Sequence, residues 1–152
     1  LRIVPTAGGE GLVGSVTFGE AGAGRFLSSL PLQAVGHNRY LLGHIANGTI
    51  GSVDYFTGIA VLNPEQNVLA EATVEITAYD QNGLQQDRRT ISLGGRERRV
   101  FLLHQLMPTL TSLFGGYITV ENLSAGAGIL VFELFGDTRL QFLSAVPAIP
   151  LD

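Results

Sequence analysis

The chain contains no cysteine, no tryptophan and no lysine, and a single methionine, in 152 residues. Without cysteine there are no disulfides, no thiolate nucleophile and no cysteine-ligated zinc. Without lysine there is no Schiff-base amine, no phosphate-loop lysine and no lysine-derived isopeptide link. Charge is sparse as well, at 14% of residues, and nine basic residues against 13 acidic ones leave a net charge of −4. That balance argues against a partner made of nucleic acid. No apolar run is long enough to cross a bilayer, and no charged-then-apolar leader opens the chain, so neither membrane insertion nor a targeting segment is expected. A first residue other than Met reads as the mark of a processed or trimmed chain.

What is present is apolar: 45% of residues are hydrophobic, and 20 are glycine. A mean hydropathy of +0.29 is that of a chain able to bury a core. Along residues 71–79, Glu71, Thr73, Glu75, Thr77 and Tyr79 alternate with Ala72, Val74, Ile76 and Ala78. Period two with one wet face predicts a half-buried antiparallel strand. Asn82 and Gly83 then supply the positive φ of a tight turn, so residues 84–93 are expected to return beside it. Runs at 12–18, 25–30, 39–46, 55–62, 116–121, 128–135 and 139–146 have similar character, with turn residues between them. Strands at this spacing predict an all-β antiparallel sandwich, Ig-like or jelly-roll-like, of about 8–10 strands. The one helical candidate lies in 100–110, where Pro108 limits it to a turn or two.

The two ends of the chain echo each other. Phe18-Gly19-Glu20 is followed by Phe26-Leu27-Ser28-Ser29-Leu30-Pro31, and Phe135-Gly136-Asp137 by Phe142-Leu143-Ser144-Ala145-Val146-Pro147. The first group recurs 117 residues on and the second 116, a one-residue slip inside the intervening turn. Recurrence in order at fixed spacing predicts a structural repeat. Residues 1–33 then read as the last strands of a preceding repeat, or as an arm on the main domain, and residues 34–152 as a complete repeat. In one geometry the chain is part of a tandem array; in the other, the two copies occupy equivalent places within one sandwich.

Several groups of residues together carry a family resemblance: 55–64 (Tyr55-Phe56-Thr57-Gly58-Ile59-Ala60-Val61-Leu62-Asn63-Pro64); Tyr79, Asp80 and Gly83; Leu93 and Arg96; Gly116-Tyr117-Ile118 and Val120; and 134–137 with 145–147. This pattern resembles an uncharacterised Ig-like β-sandwich repeat of secreted or surface-attached bacterial proteins, often found in tandem. The match spans 41–147 and, through the echo, 14–32. It implies the fold and an extracellular or cell-surface setting, and carries over no catalytic residue.

Weighing possible chemistry leaves little. His37, His44 and Asp54 could form a metal set only if their segment bends, and the histidine spacing fits no compact ligand motif, so no metal is expected. Asp80, Asn82 and Asp87 have calcium-like intervals, but the bidentate twelfth-position glutamate is missing and the hairpin turn already accounts for them. Ser28, Ser29, Ser112 and Ser144 sit in no nucleophile elbow. Paired carboxylates leave no signature in sequence, yet most acids here alternate outward on strands. No catalytic residue and no cofactor is expected. Asn47 and Asn122 open glycosylation-type triplets at the frequency chance supplies.

Two surfaces remain. Residues 128–135 read apolar on both faces, so the strand is central, or else its face is covered by another chain. Ile129, Val131, Phe132 and Phe135, with Phe18 and Phe26 from the echo, form the expected assembly surface. Arg88, Arg89, Arg96, Arg98 and Arg99 hold five of the nine arginines and form a candidate basic contact patch, with charged protection of a strand edge as its plain alternative. The expectation is a non-enzymatic extracellular structural module, the subunit of a surface array or fibre, joined to copies of itself or neighbouring repeats. A carbohydrate- or ligand-binding sandwich is the alternative, using Tyr40, Tyr55 or Tyr117 as stacking faces, with a glycan or another surface protein as partner.

Overall fold

Ala72, Val74, Ile76 and Ala78 are all buried, as the alternation requires, and around their strand the chain builds two antiparallel sheets. The computed structural model describes residues 13–20, 22, 24–126 and 128–151. Its strands are β1 (Ser15–Gly19), β2 (Leu27–Pro31), β3 (Arg39–Leu42), β4 (Ala46–Ile50), β5 (Val53–Leu62), β6 (Ala72–Tyr79) and β7 (Gln85–Leu93). They continue with β8 (Arg98–Leu102), β9 (Leu113–Phe114), β10 (Tyr117–Asn122), β11 (Leu130–Asp137), β12 (Leu143–Pro147) and β13 (Ile149–Pro150). A single turn of helix, α1 (Leu103–Leu106), lies within the stretch where Pro108 limits helix length.

One sheet has the order β13-β3-β10-β6-β7 and the other β12-β11-β5-β4-β9, with β8 also paired to β5. The β6–β7 hairpin pairs from Ala72↔Leu93 to Tyr79↔Gln85, with an irregularity after Ala78. Its turn holds because the Asp80 carboxylate accepts the backbone N–H groups of Asn82 and Leu84, at 2.8 and 3.0 Å, while Gly83 takes φ 79°. Asp80 is thereby committed to the turn.

The core lies between the two sheets. Tyr40, Leu42, Val74, Ile76, Ile118 and Val120 come from the first, and Ile59, Val61, Ile129 and Val131 from the second. Leu103 and Met107, from and just after α1, are fully buried members of the same cluster. Every residue of this cluster lies between Tyr40 and Ala148, so β1 and β2 add nothing to it. They form a separate two-stranded sheet. Of the two geometries open to the echo, pairing of both copies into one sandwich does not occur among the described residues; residues 1–12 of the expected arm lie outside them.

Four elements differ from the sequence expectation. The run 39–46 breaks at Gly43 and continues as β4, while Arg98 to Leu102 extend as β8 because β5 offers them an edge. Arg139 to Phe142 form the turn that the Asp137 carboxylate organises, accepting the Gln141 N–H at 2.6 Å. The chain then changes sheets at the buried Ala148, which places β13 beside β3.

Candidate functional site

The two echoing segments fold into the same hairpin. In β1–β2 the register pairs Phe18 with Ser28, Gly19 with Leu27 and Ser15 with Pro31. In β11–β12 it pairs Phe135 with Ser144, Gly136 with Leu143 and Phe132 with Pro147. All five pairs correspond. A Cβ at Gly19 would stand 2.8 Å from the Phe26 carbonyl oxygen and 3.1 Å from a Leu27 methyl; at Gly136 the same two distances separate it from Phe142 and Leu143. Both glycines are needed for one close approach of backbone. The slip of one residue falls in the turn, which is held by an Arg25–Glu20 ion pair in the first hairpin and by Asp137 in the second. The equivalence also continues backward in sequence, since Gly9 and Gly11 stand 117 residues before Gly126 and Gly128.

The surroundings of the hairpins differ. The far edge of β11 is held by β5 through eight pairs, from Leu130↔Leu62 to Asp137↔Tyr55. Among the described residues β1 pairs with β2 alone. The first hairpin lies along β12, where Ser28 Oγ accepts the Ala145 N–H at 2.6 Å. Gln33 Nε2 donates to the Val131 carbonyl at 3.0 Å, and Arg25 Nη1 to the Arg139 carbonyl at 3.4 Å. These three contacts run in the same order along both hairpins, so β2 and β12 lie parallel.

Of the expected assembly residues, Ile129 and Val131 are fully buried in the core and belong to no surface. The pleat sends alternate residues of β11 to opposite sides. Phe132 therefore faces outward, in a row with Val100, Ala60 and Pro147 from β8, β5 and β12. Val100 in that row is 61% exposed. Phe135 points to the core side and packs against the His44 ring at 4.1 Å and the Phe142 ring at 5.8 Å. Phe18 and Phe26 are half-buried in the first hairpin.

The five arginines are spread over two sheets and the turn between them. Arg88 and Arg89 lie on β7, at the edge of the first sheet, whereas Arg98 and Arg99 lie on β8 of the second. Carboxylates partner Arg88 (Glu75, 3.5 Å), Arg89 (Asp87, 2.8 Å) and Arg99 (Glu97, 2.9 Å). Arg96 donates to the Gln66 side chain at 3.2 Å. The hydrogen bond from Arg99 holds the Glu97 carboxyl below its usual range. These are charges matched along exposed edges.

Sequence reasoning passed over Glu133. It sits on the same side of β11 as Ile129 and Val131, is fully buried, and has no hydrogen-bond partner on either carboxylate oxygen. Burial pushes its carboxyl up to about 8; the backbone amide of His44 opposes that shift without closing a hydrogen bond. The signal was available in the period-two pattern, which puts residue 133 on the face of 129 and 131.

Other candidates have structural duties. Tyr40 is buried and donates to the Ile129 carbonyl at 2.9 Å, so it offers no stacking face. Tyr117 stacks on Tyr79 at 4.8 Å. Asn47 and Asn122 are buried, which closes both glycosylation-type triplets to modification in the folded chain. Among the described residues no group of three His, Asp or Glu side chains could hold a metal. A surface groove of about 310 Å³ lies between residues 31–37 and 147–150 and is lined by Pro31, Gln33, His37, Tyr40 and Pro147.

No family model matches the chain, and no curated protein matches it. Similar folds occur among solved structures. The likeness is one of fold alone. Thermotoga maritima 1070 aligns with a TM-score of 0.55 at 12% identity, over 76% of this chain and 95% of its own. The Anabaena sensory rhodopsin transducer aligns with a TM-score of 0.51 at 13% identity, over 67% of this chain and 91% of its own.

Proposed function

We propose that this chain is a non-enzymatic structural module, a subunit of an extracellular or cell-surface array or fibre that joins units of its own kind through strand and apolar-face packing. The observation that carries this reading is the first hairpin: β1–β2 repeats β11–β12 pair for pair, yet stands outside both sheets, and among the described residues the outer edge of β1 has no strand partner. A single-unit sandwich has no use for a second copy of its closing hairpin. A hairpin alone is marginal in water, and a strand edge without a partner seeks one. The outward row of Val100, Ala60, Phe132 and Pro147 adds an apolar face suited to the same purpose. The resemblance to tandem repeats of secreted bacterial proteins supplies the extracellular setting.

Size-exclusion chromatography with light scattering at several concentrations, followed by negative-stain microscopy of the same fractions, tests the reading. A defined oligomer or fibre is the expected result. A 16.1 kDa monomer at every concentration contradicts it.

A further inference from the structure

Two features of β1–β2 are unsatisfied among the described residues. In β11–β12 the positions Glu133, Phe135, Ser144 and Val146 share the side that closes the core; their counterparts in the first hairpin are Val16, Phe18, Ser28 and Leu30. That side of the first hairpin meets the flank of β12, and Val16 remains 36% exposed. The edge of β1 corresponds to the edge of β11 that β5 holds, and among the described residues nothing holds it.

We propose that β1–β2 is a donor hairpin that takes the seat of β11–β12 on a second copy of the chain, with β1 antiparallel to that copy's β5. The echo fixes the register: Ser15 opposite Ala60, Val16 opposite Ile59, Thr17 opposite Gly58 and Phe18 opposite Thr57. This rests on the assembly reading and names its contact. The occupant is specified by the seat, because only a unit of this fold, once its own β11–β12 has left, offers the edge of β5 beside a core shaped for this hairpin.

The exchange is set by opposing terms. The resident strand brings Glu133 into the core without a partner, and a buried unpaired carboxyl is costly. The donor brings Val16 to that position. Against this, the donor has Gly14 where the resident has the buried Val131, and so loses apolar contact. The balance makes exchange dependent on concentration. The seven residues between β2 and β3 can span roughly 23–25 Å when extended, enough for the hairpin to leave β12. Each copy gives at its first hairpin and receives at β5, so the contact is heterologous and propagates head to tail.

The test uses the full chain, whose lack of cysteine leaves introduced thiols as the only ones. Ser15→Cys with Ala60→Cys, oxidised at concentrations where the parent assembles, is expected to give an inter-chain covalent ladder. Thr17→Cys with Ala60→Cys is two residues out of register and is expected to lose it. Val16→Glu changes a residue outside the core, and is expected to abolish assembly while leaving the melting of the single chain unchanged. Assembly that persists in Val16→Glu, or a ladder absent from the first pair or equal in both, overturns the donor contact while the assembly reading stands. A parent chain that stays monomeric overturns both.

Discussion

Glu133 is the residue with the sharpest energetic consequence. Its carboxyl ionises near 4.5 in an unfolded chain and near 8 in the folded one, because burial removes water from the charged form. The folded state therefore holds the proton where the unfolded state has released it. Stability from this group is complete below about pH 4.5 and declines as pH rises toward 8. At about 1.4 kcal/mol per pH unit the decline is of the order of 4 kcal/mol across that window. Thermal denaturation from pH 4.5 to 8 checks the sign: the parent should lose melting temperature, and Glu133→Gln should stay nearly flat. Glu133→Val, which copies the residue at the matching place in β1, should be more stable than the parent at pH 8. A parent that gains stability over this range contradicts the placement of Glu133 on the core side. In the core proper, Ile76→Ala leaves a cavity between the sheets and should cost about 2–5 kcal/mol in chemical denaturation.

Among the elements, the β6–β7 hairpin shows how far sequence reasoning reaches. Alternation from Glu71 to Tyr79 identified the strand, its buried face and its partner, because antiparallel pairing with one wet side leaves a period-two signature. Gly83 at φ 79° is the position where that hairpin needs glycine. Gly83→Val should cost about 1–2 kcal/mol, read as a lower denaturation midpoint with no change in strand content. The short elements β4, β9 and β13 were not legible, since two to five residues carry too little pattern and each exists because a neighbouring edge is available. Val100 to Leu102 were expected within the helical candidate 100–110 and extend as part of β8 instead, because only the fold brings β5 alongside them. The arginines illustrate a related point: residues close in sequence are divided between β7 of one sheet and β8 of the other, which only the fold reveals. The echo was legible in full, as matched side chains at fixed offset, but that the first copy would stand outside the sandwich was not.

At the scale of the whole molecule, the core is complete between Tyr40 and Ala148. Residues 34–152 should therefore fold without the first hairpin, with unchanged strand content by circular dichroism. What the hairpin contributes is a strand edge that pairs with nothing among the described residues. A sparse charge of −4 and an outward apolar row leave little electrostatic barrier to like units meeting. Sedimentation velocity of the full chain beside residues 34–152, over the same concentration series, tests the assembly claim most directly. The account predicts that the mean mass of the full chain rises with concentration while the shortened chain stays a single unit. Equal behaviour of the two, whether both remain single or both associate, would contradict it.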